Sequence, residues 1–542
     1  MQVYAIILIN LGFYVIESVK ETVMNAMPKA EHITRQVGKA VVAIICILMF
    51  VILLYLSVIS LIVTCDMNRN NGMLENIDYQ IDNVAINLAT LAVGLIFFFF
   101  IRKPLKKIPS LWFGIVLVIL VLSFGIVWVF SAQSAPTFDS FRVTDSAYKA
   151  SIGDYSGIDS DYFRFYPFQL GYVLFNEFWI WALKLSDNFL ALEILNVIFL
   201  AISYIAILMS VSQIFRNDEM VKLTAILLAG CLPAVLFCTF LYGNIPGFAF
   251  AMLAVLTFLL FLERNKWYWG VLSALSLGIS ICIKLNNLIF FVAIFIIGVV
   301  SVIRTKKELF LRIGYLALAA AMALGLKLIP VAVYENRIGA DLGEGIPMIS
   351  WAAMGLSESS IECGWYSEQY TVGNFIDHDM DADAAAEESF CTIKERLGIF
   401  LRKPGYAVEF FFCKTASQWN EPSYQSLWTN QVRDHYGAIG PMAYWMLNDG
   451  EYTVKSYMNL YQQFIFVGAL AAAFFCFKKK ETAPALLLLI ILGGFSYHLF
   501  FEAKSQYALT YFILMIPLAA YGVQQLAEKA DILISKRKEK KT

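Results

Sequence analysis

The sequence predicts an all-α polytopic membrane protein with about 12 to 13 transmembrane helices, and three observations lead to this fold class. Hydrophobic residues make up 59% of the chain and charged residues only 15%, against about half and about a quarter in soluble domains. The apolar residues fall into separate runs of about 20, the length that crosses a bilayer. Lys and Arg gather between alternate runs, as they do in short cytoplasmic loops.

The predicted crossings follow one another along most of the chain. They lie at residues 40–64, 84–101, 111–130, 189–211, 221–242, 248–262, 267–283, 288–303, 314–333, 461–477, 485–501 and 508–526. Residues 1–19 are apolar but short, so they form either a marginal first helix or a segment in the membrane interface. They lack a basic start and a small-residue cleavage site, which argues against a cleaved signal peptide.

The basic loops predict the orientation. The clusters at residues 102–107, 304–312, 478–480 and 529–541 fall on one side only if the aromatic segment 165–185 does not cross. We therefore expect this segment to be a juxtamembrane or re-entrant helix, at the depth that Tyr and Trp favour. The C-terminus is then cytoplasmic, and the polar loops lie outside a plasma membrane.

This orientation divides the chain into five parts. We expect N-terminal helices at 1–110, a core module at 111–333 that contains a catalytic outer loop (131–186), a large extracytoplasmic loop at 334–457, C-terminal helices at 458–528 and a basic cytoplasmic tail at 529–542. The large loop is too long for a plain connector, so we expect a mixed subdomain that caps the membrane cavity. Residues 381–397 and 407–417 are predicted to be helical within it.

The outer loop 131–186 contains the first dense cluster of carboxylates. Asp139 lies just beyond a predicted helix, where a carboxylate can serve as general base toward an acceptor, although a solvated loop residue would look the same. Asp145 would not share a helical face with it. The later Asp154, Asp159 and Asp161 are expected to be solvated, and their spacing fits no defined metal motif.

Two lysines at outer loops are candidates for binding an anion. Lys284 ends an apolar run, and it either meets a lipid phosphate or snorkels at the membrane edge. The turn from Glu502 to Tyr507 pairs an acid with Lys504, a second phosphate candidate, unless it is only a structural turn with a weak ion pair. The Gly- and Pro-containing turn 243–247 needs no function.

Other features exclude functions or leave alternatives open. The near-zero net charge argues against nucleic acid as a partner, and no P-loop, dinucleotide-binding or GxSxG motif is present. A disulfide among Cys363, Cys391 and Cys413 is left open, because they lie in one polar loop without metal-ligand spacing. The aromatic side chains of Trp365, Tyr366 and Trp419 could stack on sugars or form a subdomain core.

The order of these parts resembles the C-type membrane glycosyltransferases that use polyprenyl-phosphate sugars. The similarity is greatest to the protein O-mannosyltransferase and aminoarabinose-transferase branch, in its multi-span Gram-positive bacterial form. It covers about residues 111–526, and the motifs that carry it are residues 136–171, with Tyr166-Pro167-Phe168-Gln169-Leu170-Gly171, and the stretches 346–366 and 502–507.

The resemblance implies an inverting transfer at the outer membrane face, from a polyprenyl-phosphate sugar to a cell-envelope polymer, glycolipid or protein. Asp139 would be the general base. The donor phosphate would be bound by Lys284 and Lys504, with Arg142 and Arg164 as further candidates. The remaining active-site candidates are Asp145, Tyr148, Tyr166, Asn244, Glu502 and Tyr507.

Two positions depart from the family pattern. Asn244 stands in the loop where many members have a second acidic residue, which favours a reaction that requires neither a metal nor another cofactor. Gln506-Tyr507 replaces the usual Arg-Tyr of the last outer loop, which leaves the role of that loop open.

Two other classes of function remain. A transporter or flippase for a lipid-linked or small anionic substrate would use the same basic residues, but its pathway would usually carry ionisable residues in the membrane, and these runs carry few. An inactive accessory subunit of an envelope-assembly complex is the third possibility.

Overall fold

The computed structural model describes residues 38–69, 74–185, 189–304, 308–479 and 483–539, and this part of the chain is a bundle of helices. Nine described helices are long and apolar enough to cross a membrane, and a bent pair makes a tenth. Trp267–Ile283 and Ala485–Phe500 are shorter apolar helices, about 24–26 Å long. Together they account for the twelve predicted crossings and confirm the all-α fold class. Residues 1–19, whose crossing was left open, lie outside the described residues.

The N-terminal part contains the only strands of the described chain. They form an antiparallel hairpin in which Cys65 pairs with Tyr79. The elements in order are α1 (Gly38–Ile62), β1 (Val63–Met67), β2 (Ile77–Ile81), α2 (Val84–Leu105), α3 (Ser110–Ala132), α4 (Phe138–Ser151), α5 (Asp161–Phe165) and α6 (Leu170–Leu183). The apolar runs are helical because backbone groups in lipid must be paired within the segment.

The middle part of the described chain contains eight α-helices. It consists of α7 (Phe189–Phe215), α8 (Asp218–Ala229), α9 (Leu232–Leu236), α10 (Asn244–Arg264), α11 (Trp267–Ile283), α12 (Leu288–Arg304), α13 (Leu309–Gly325) and α14 (Ile329–Ile338). The bent pair comprises Asp218–Ala229 and Leu232–Thr239, which meet at 56°. Pro233 lies in the first turn after the bend, where its missing N–H is tolerated.

The C-terminal part begins with the helices of the large loop and ends with three apolar helices. It consists of α15 (Met348–Gly355), α16 (Val372–Asp377), α17 (Ala382–Arg402), α18 (Pro404–Trp419), α19 (Trp428–Gln431), α20 (Pro441–Leu447), α21 (Glu451–Lys479), α22 (Ala485–Phe500) and α23 (Ser505–Glu539). The helices predicted at 381–397 and 407–417 are present as the longer α17 and α18.

The segment that contains α6 returns to the face from which it started. The end of α3 meets residue 440, where the Gly440 N–H donates to Ser131 O at 2.8 Å. The start of α7 meets the same loop, with the Phe189 and Tyr436 ring centroids 6.3 Å apart. Since α6 itself would be about 21 Å long, it does not cross, as the basic loops predicted. We call the end of the bundle where these loops meet the site face.

The large loop 334–457 packs partly on itself and partly on the membrane helices. Leu356, Phe400 and Phe410 form a small hydrophobic cluster within the loop. Trp419, Tyr424 and Leu427 belong to the same hydrophobic core as the membrane helices. The loop is also tied to α3 and the end of α9, because Asn430 Oδ1 accepts hydrogen bonds from Ser134 and Thr239 at 2.6 and 2.8 Å. The elements described within the loop are helices, and an isolated β-bridge joins His435 to Ser134. The two strands on the site face belong to the hairpin β1–β2.

Candidate functional site

A cavity of about 510 Å³ opens on the site face. The start of α4, the ends of membrane helices and the large loop all contribute to its wall. Six of the eleven predicted catalytic, phosphate-binding and other active-site residues line it: Asp139, Tyr166, Lys284, Glu502, Lys504 and Tyr507. The fold therefore brings together candidates from three distant parts of the chain.

Asp139 lies in the first turn of α4, at the edge of the cavity. Thr137 and Ser140 form a capping box that starts the helix and fixes its direction. Tyr242 donates its hydroxyl hydrogen to Asp139 Oδ2 at 3.0 Å, while Gln169 Nε2 donates to the Tyr242 oxygen at 2.5 Å. Because a phenol has a single proton, the bond from Gln169 directs that proton to the carboxylate. These hydrogen bonds hold Asp139 in a fixed orientation.

Two glycines allow the chain around Tyr242 to approach the end of α11. Gly243 has a φ of +80°, and a Cβ there would lie 2.9 Å from Ile283 O. A Cβ at Gly247 would lie 3.1 Å from Lys284 Cβ. A side chain at either position would push the two segments apart. The turn 243–247, to which the sequence assigned no function, therefore sets the separation of Tyr242 and Lys284.

Lys284 follows the last residue of α11 and lines the cavity. Its Nζ lies 3.9 Å from the ring centroid of Tyr242 and 5.8 Å from that of Tyr507. Within the described parts of the chain, no carboxylate oxygen lies within 4.0 Å of it. Burial lowers the pKa of Lys284 to about 7, although Asp139 and Glu502 act to raise it. A desolvated amine with no counter-ion is a natural partner for an anion.

Lys504 lines the same cavity but is already paired. Its Nζ lies 2.6 Å from Glu75 Oε1, and Gln425 donates to the same oxygen at 3.0 Å. Burial alone would lower the pKa of Lys504, but Glu75 and Glu502 together raise it. Burial raises the pKa of Glu502 to about 7, and Tyr507 donates to Glu502 Oε2 at 3.3 Å. The prediction of Lys504 as a second free phosphate-binding cation is therefore revised.

Aromatic side chains form another wall of the cavity. The Trp351 ring centroid lies 6.2 Å from that of Tyr166 and 6.0 Å from that of Phe168, both in edge contacts. Tyr366 and Trp428 also line the cavity. Such faces suit the apolar side of a sugar ring, and their polar edges suit its hydroxyls.

The other aromatic candidates are structural. Trp365 is buried and donates from Nε1 to Ser417 Oγ at 2.9 Å. Trp419 is 1% exposed, and its ring contacts Phe495 in α22. The sequence left stacking and core packing open for both, and the structure places both in the core.

Two arginines predicted to bind the donor phosphate lie outside the cavity. Arg142 is exposed, and Arg164 pairs with Asp159 at 3.2 Å. Neither lines the cavity, so the prediction that they contact the donor phosphate is corrected. Arg142 follows the turn of α4 that lines the cavity, and Arg164 precedes Tyr166, which also lines it.

Three further candidates also lie away from the cavity. Asp145 forms an ion pair with Lys149 at 2.8 Å, on a different face of α4. Tyr148 is buried, with its ring centroid 6.2 Å from that of Phe189. Asn244 begins α10 but is not part of the cavity wall. Their expected place in the active site is therefore corrected as well.

Arg433 is a cavity residue that sequence reasoning missed. It is 7% exposed, and its guanidinium carbon lies 4.7 Å from the ring centroid of Phe240. Its neighbours in sequence belong to an irregular loop with no recognisable motif. Only the fold, which ties this loop to α3, shows that the charge lies at the cavity.

The structure also shows how possible metal ligands and cysteines are arranged. Within the described ranges, no group of three or more His, Cys, Asp and Glu side chains is arranged to hold a metal ion. All nine cysteines are free thiols, so the disulfide left open among Cys363, Cys391 and Cys413 is not formed.

Comparison with known proteins identifies a family but no activity. The model of a family described as "conserved hypothetical integral membrane protein" matches residues 34–527, nearly the whole described chain. No curated protein matches the sequence.

Proposed function

The chain belongs to this family of integral membrane proteins, and we propose that it is a glycosyltransferase that moves a sugar from a polyprenyl-phosphate donor to an acceptor hydroxyl. One observation supports this most strongly. Tyr242 donates its hydroxyl hydrogen to Asp139, its ring lies beneath Lys284, and its backbone oxygen accepts from Lys284 Nζ at 3.5 Å. One residue therefore positions both a carboxylate and a cation that has no carboxylate within 4.0 Å among the described residues. Displacement of a lipid phosphate by a hydroxyl is aided by a base near the attacking oxygen and a cation near the departing phosphate.

The proposed reaction is a single displacement. Asp139 takes the proton of the acceptor hydroxyl as its oxygen forms a bond to the anomeric carbon. The bond from that carbon to the phosphate oxygen breaks, and the electron pair stays on the lipid phosphate. Lys284 neutralises the charge that develops on this leaving group. The configuration of the anomeric carbon is inverted. The acceptor loses only its hydroxyl proton, which Asp139 takes.

The aromatic wall supports a carbohydrate ligand. Trp351, Tyr166 and Tyr366 line the same cavity as Asp139, and aromatic side chains with polar edges suit a sugar. In this proposal the sugar lies between these rings and the Asp139 carboxylate. The lipid chain would extend among the membrane helices, and the acceptor would be an envelope polymer, glycolipid or protein.

The distribution of charge supports an outward-facing site. Basic residues lie at the helix ends opposite the site face, as at Arg102, which pairs with Asp531 near the end of α23. Lys478 and the sequence Lys536-Arg537-Lys538 follow the same pattern. Because Lys and Arg concentrate on the cytoplasmic side, we place the site face outside a plasma membrane and the C-terminus in the cytoplasm.

Sugar release from the lipid tests the proposal. Purified protein in liposomes receives a panel of radiolabelled polyprenyl-phosphate sugars and an envelope extract as acceptor, with and without EDTA. The wild type should release sugar from the lipid, and Asp139→Asn should lower kcat by about 10²- to 10⁴-fold, the usual contribution of a general base. Asp145→Asn, six residues further along α4 and outside the cavity, is the matched control and should retain activity.

Each other outcome has a defined meaning. A normal rate in Asp139→Asn would remove this carboxylate from the mechanism. Movement of the lipid between leaflets with no release of sugar would identify a flippase instead. The EDTA arm reports whether a metal takes part.

A further inference from the structure

A second cation borders the cavity at a place that the proposed reaction does not use. Arg433 is 7% exposed, and its Nη2 lies 3.5 Å from Ser140 Oγ. Its Nη1 is buried and has no hydrogen-bond partner among the residues that the structure describes. Burial lowers the pKa of Arg433 to about 10, so the guanidinium remains charged at neutral pH. A buried positive charge with an unused donor requires an explanation.

The same part of the cavity contains the start of α4. Thr137, Phe138, Asp139 and Ser140 all line the cavity. The first turn of a helix has N–H groups without acceptors inside the helix, and its dipole favours an anion. The capping box uses the N–H of Ser140, and the helix offers no acceptor for those of Phe138 and Asp139. Arg433 and this turn therefore present donors and positive potential to one place.

This place is distinct from Lys284 but close to it. Arg433 lies over the ring of Phe240, and Lys284 lies over the ring of Tyr242. The centroids of these two rings are 5.7 Å apart. Asp139 is bonded to Tyr242 and is adjacent in sequence to Ser140, which Arg433 contacts. Both cations are therefore linked to the proposed base, Lys284 through Tyr242 and Arg433 through the neighbouring Ser140.

We propose that Arg433 and the first turn of α4 bind an anionic group of the acceptor, a phosphate or a carboxylate close to the hydroxyl that attacks the sugar. The donor phosphate diester carries one negative charge, which Lys284 matches, so the second cation calls for a second anion. Its contact with Ser140 puts that anion beside Asp139, on the acceptor side. The identification of the ligand as the acceptor rests on the proposed transferase function.

A different role for Arg433 would be to offset a buried carboxylate. Glu193 is fully buried, accepts a hydrogen bond from Tyr436 at 2.9 Å and has no described partner for Oε1. Glu193 acts to raise the pKa of Arg433, but its effect is smaller than that of burial, and no ion pair within 4.0 Å joins the two side chains in the described chain. If Arg433 served only Glu193, any preference of the cavity for anionic ligands would come from Lys284 and would persist in Arg433→Gln.

Calorimetric titration of the full chain in nanodiscs tests the proposal without turnover. The probes are sn-glycerol 3-phosphate against glycerol, and glucuronic acid against glucose. At least one acid should bind the wild type at least tenfold more tightly than its neutral partner, and the acid that does so identifies the anion. Equal affinity for acid and neutral partner in both pairs would overturn the proposal, and this comparison needs no variant that might misfold.

Variants then assign the preference to Arg433. Arg433→Gln should lose at least tenfold in affinity for the acid, and Arg433→Lys should retain part of it because it keeps the charge. Arg164→Gln, a surface arginine outside the cavity, is the matched control and should change affinity less than twofold. Thermal unfolding confirms that each variant is folded. A folded Arg433→Gln protein that keeps the full preference would overturn the assignment.

A competition arm separates the two anion sites. With saturating polyprenyl phosphate present, the acid should still bind within a fewfold of its original affinity. Complete displacement by the lipid would mean a single shared site and would overturn the proposal. A failure of the transferase function is recognised separately, because it would appear as no release of sugar while this binding persisted.

Discussion

Two lysines border the same cavity, and their surroundings differ. Each lies where an apolar helix ends on the site face, Lys284 after α11 and Lys504 just before α23. Lys284 lies over the ring of Tyr242, with no carboxylate of the described residues within 4.0 Å, whereas Lys504 is 2.6 Å from Glu75. Position at the membrane edge therefore does not decide the role of a lysine. A partner from a distant loop decides it.

The surroundings shift the pKa values of the two lysines in opposite directions. Burial lowers the pKa of Lys284 to about 7, while Glu75 and Glu502 overcome burial and raise the pKa of Lys504. An anion that enters the cavity stabilises the protonated form of Lys284. It gains much less from Lys504, because that charge is already neutralised by Glu75.

The largest effect is expected from Tyr242, which contacts Lys284 and Asp139 but not Lys504. Tyr242→Leu removes both the ring beneath the amine and the hydroxyl bonded to the carboxylate. We expect kcat/KM for the donor to fall by about 10²- to 10³-fold, because a charge-assisted hydrogen bond and a desolvated cation–π contact are both lost. Steady-state kinetics with the labelled donor measure this loss.

Tyr242→Phe is the matched variant that keeps the ring. It should lower kcat by about tenfold or more through loss of the hydroxyl, and leave KM for the donor little changed. Equal losses in the two variants would show that the ring contributes nothing at Lys284. No loss in either would show that the Tyr242 cluster has no part in the reaction.

The pH dependence should be intermediate in size. Lys284 loses its proton as the pH rises through about 7, and the neutral amine no longer attracts the phosphate. We therefore expect kcat/KM for the donor, which reports the free enzyme, to fall by about tenfold per pH unit above this value. Lys284→Arg should remove the decline, because a guanidinium stays charged over this range.

Glu502 provides the control for this profile, because burial raises its pKa to about 7 as well. Glu502→Gln should retain the alkaline decline if Lys284 causes it. A decline that disappears in Glu502→Gln and persists in Lys284→Arg would assign the titration to the carboxyl group.

The smallest catalytic effect is expected from the Glu75–Lys504 pair. Either Lys504→Gln or Glu75→Gln leaves a partly buried charge unpaired, at a cost of about 1–3 kcal/mol in unfolding free energy. The double variant should recover most of this loss, and donor turnover should change by less than about threefold. Thermal unfolding of the single and double variants measures the recovery. A large loss of turnover in the folded double variant would make Lys504 a functional cation.

The sequence predicted the helices better than it predicted the site. The crossings, the return of residues 165–185 and the helices α17 and α18 follow from apolar length, basic loops and local helix patterns, which are properties of short segments. Asp139 and Lys284 were also accessible, because polar residues at the ends of apolar runs are visible locally. In contrast, the pairing of Lys504 with Glu75 joins residues more than 400 positions apart.

The residues missed by the sequence share this long-range origin. Tyr242 ends an apolar run and resembles a membrane-interface tyrosine until Gly243 brings it to Lys284. Arg433 lies in a loop with no motif, and only the hydrogen bonds of Asn430 place that loop on the bundle. Conversely, Arg142 and Arg164 have the right charge in the right segment, but neither lines the cavity.

The binding of sugar-free polyprenyl phosphate by the two lysine variants distinguishes a phosphate site at Lys284 from one at Lys504. Dissociation constants would be measured for the wild type, Lys284→Gln and Lys504→Gln in nanodiscs at pH 6.5, where Lys284 is mostly protonated. The account predicts about 10- to 100-fold weaker binding for Lys284→Gln, the value of a hydrogen bond to a charged group, and less than threefold for Lys504→Gln. Wild-type affinity in Lys284→Gln together with a large loss in Lys504→Gln would contradict the account.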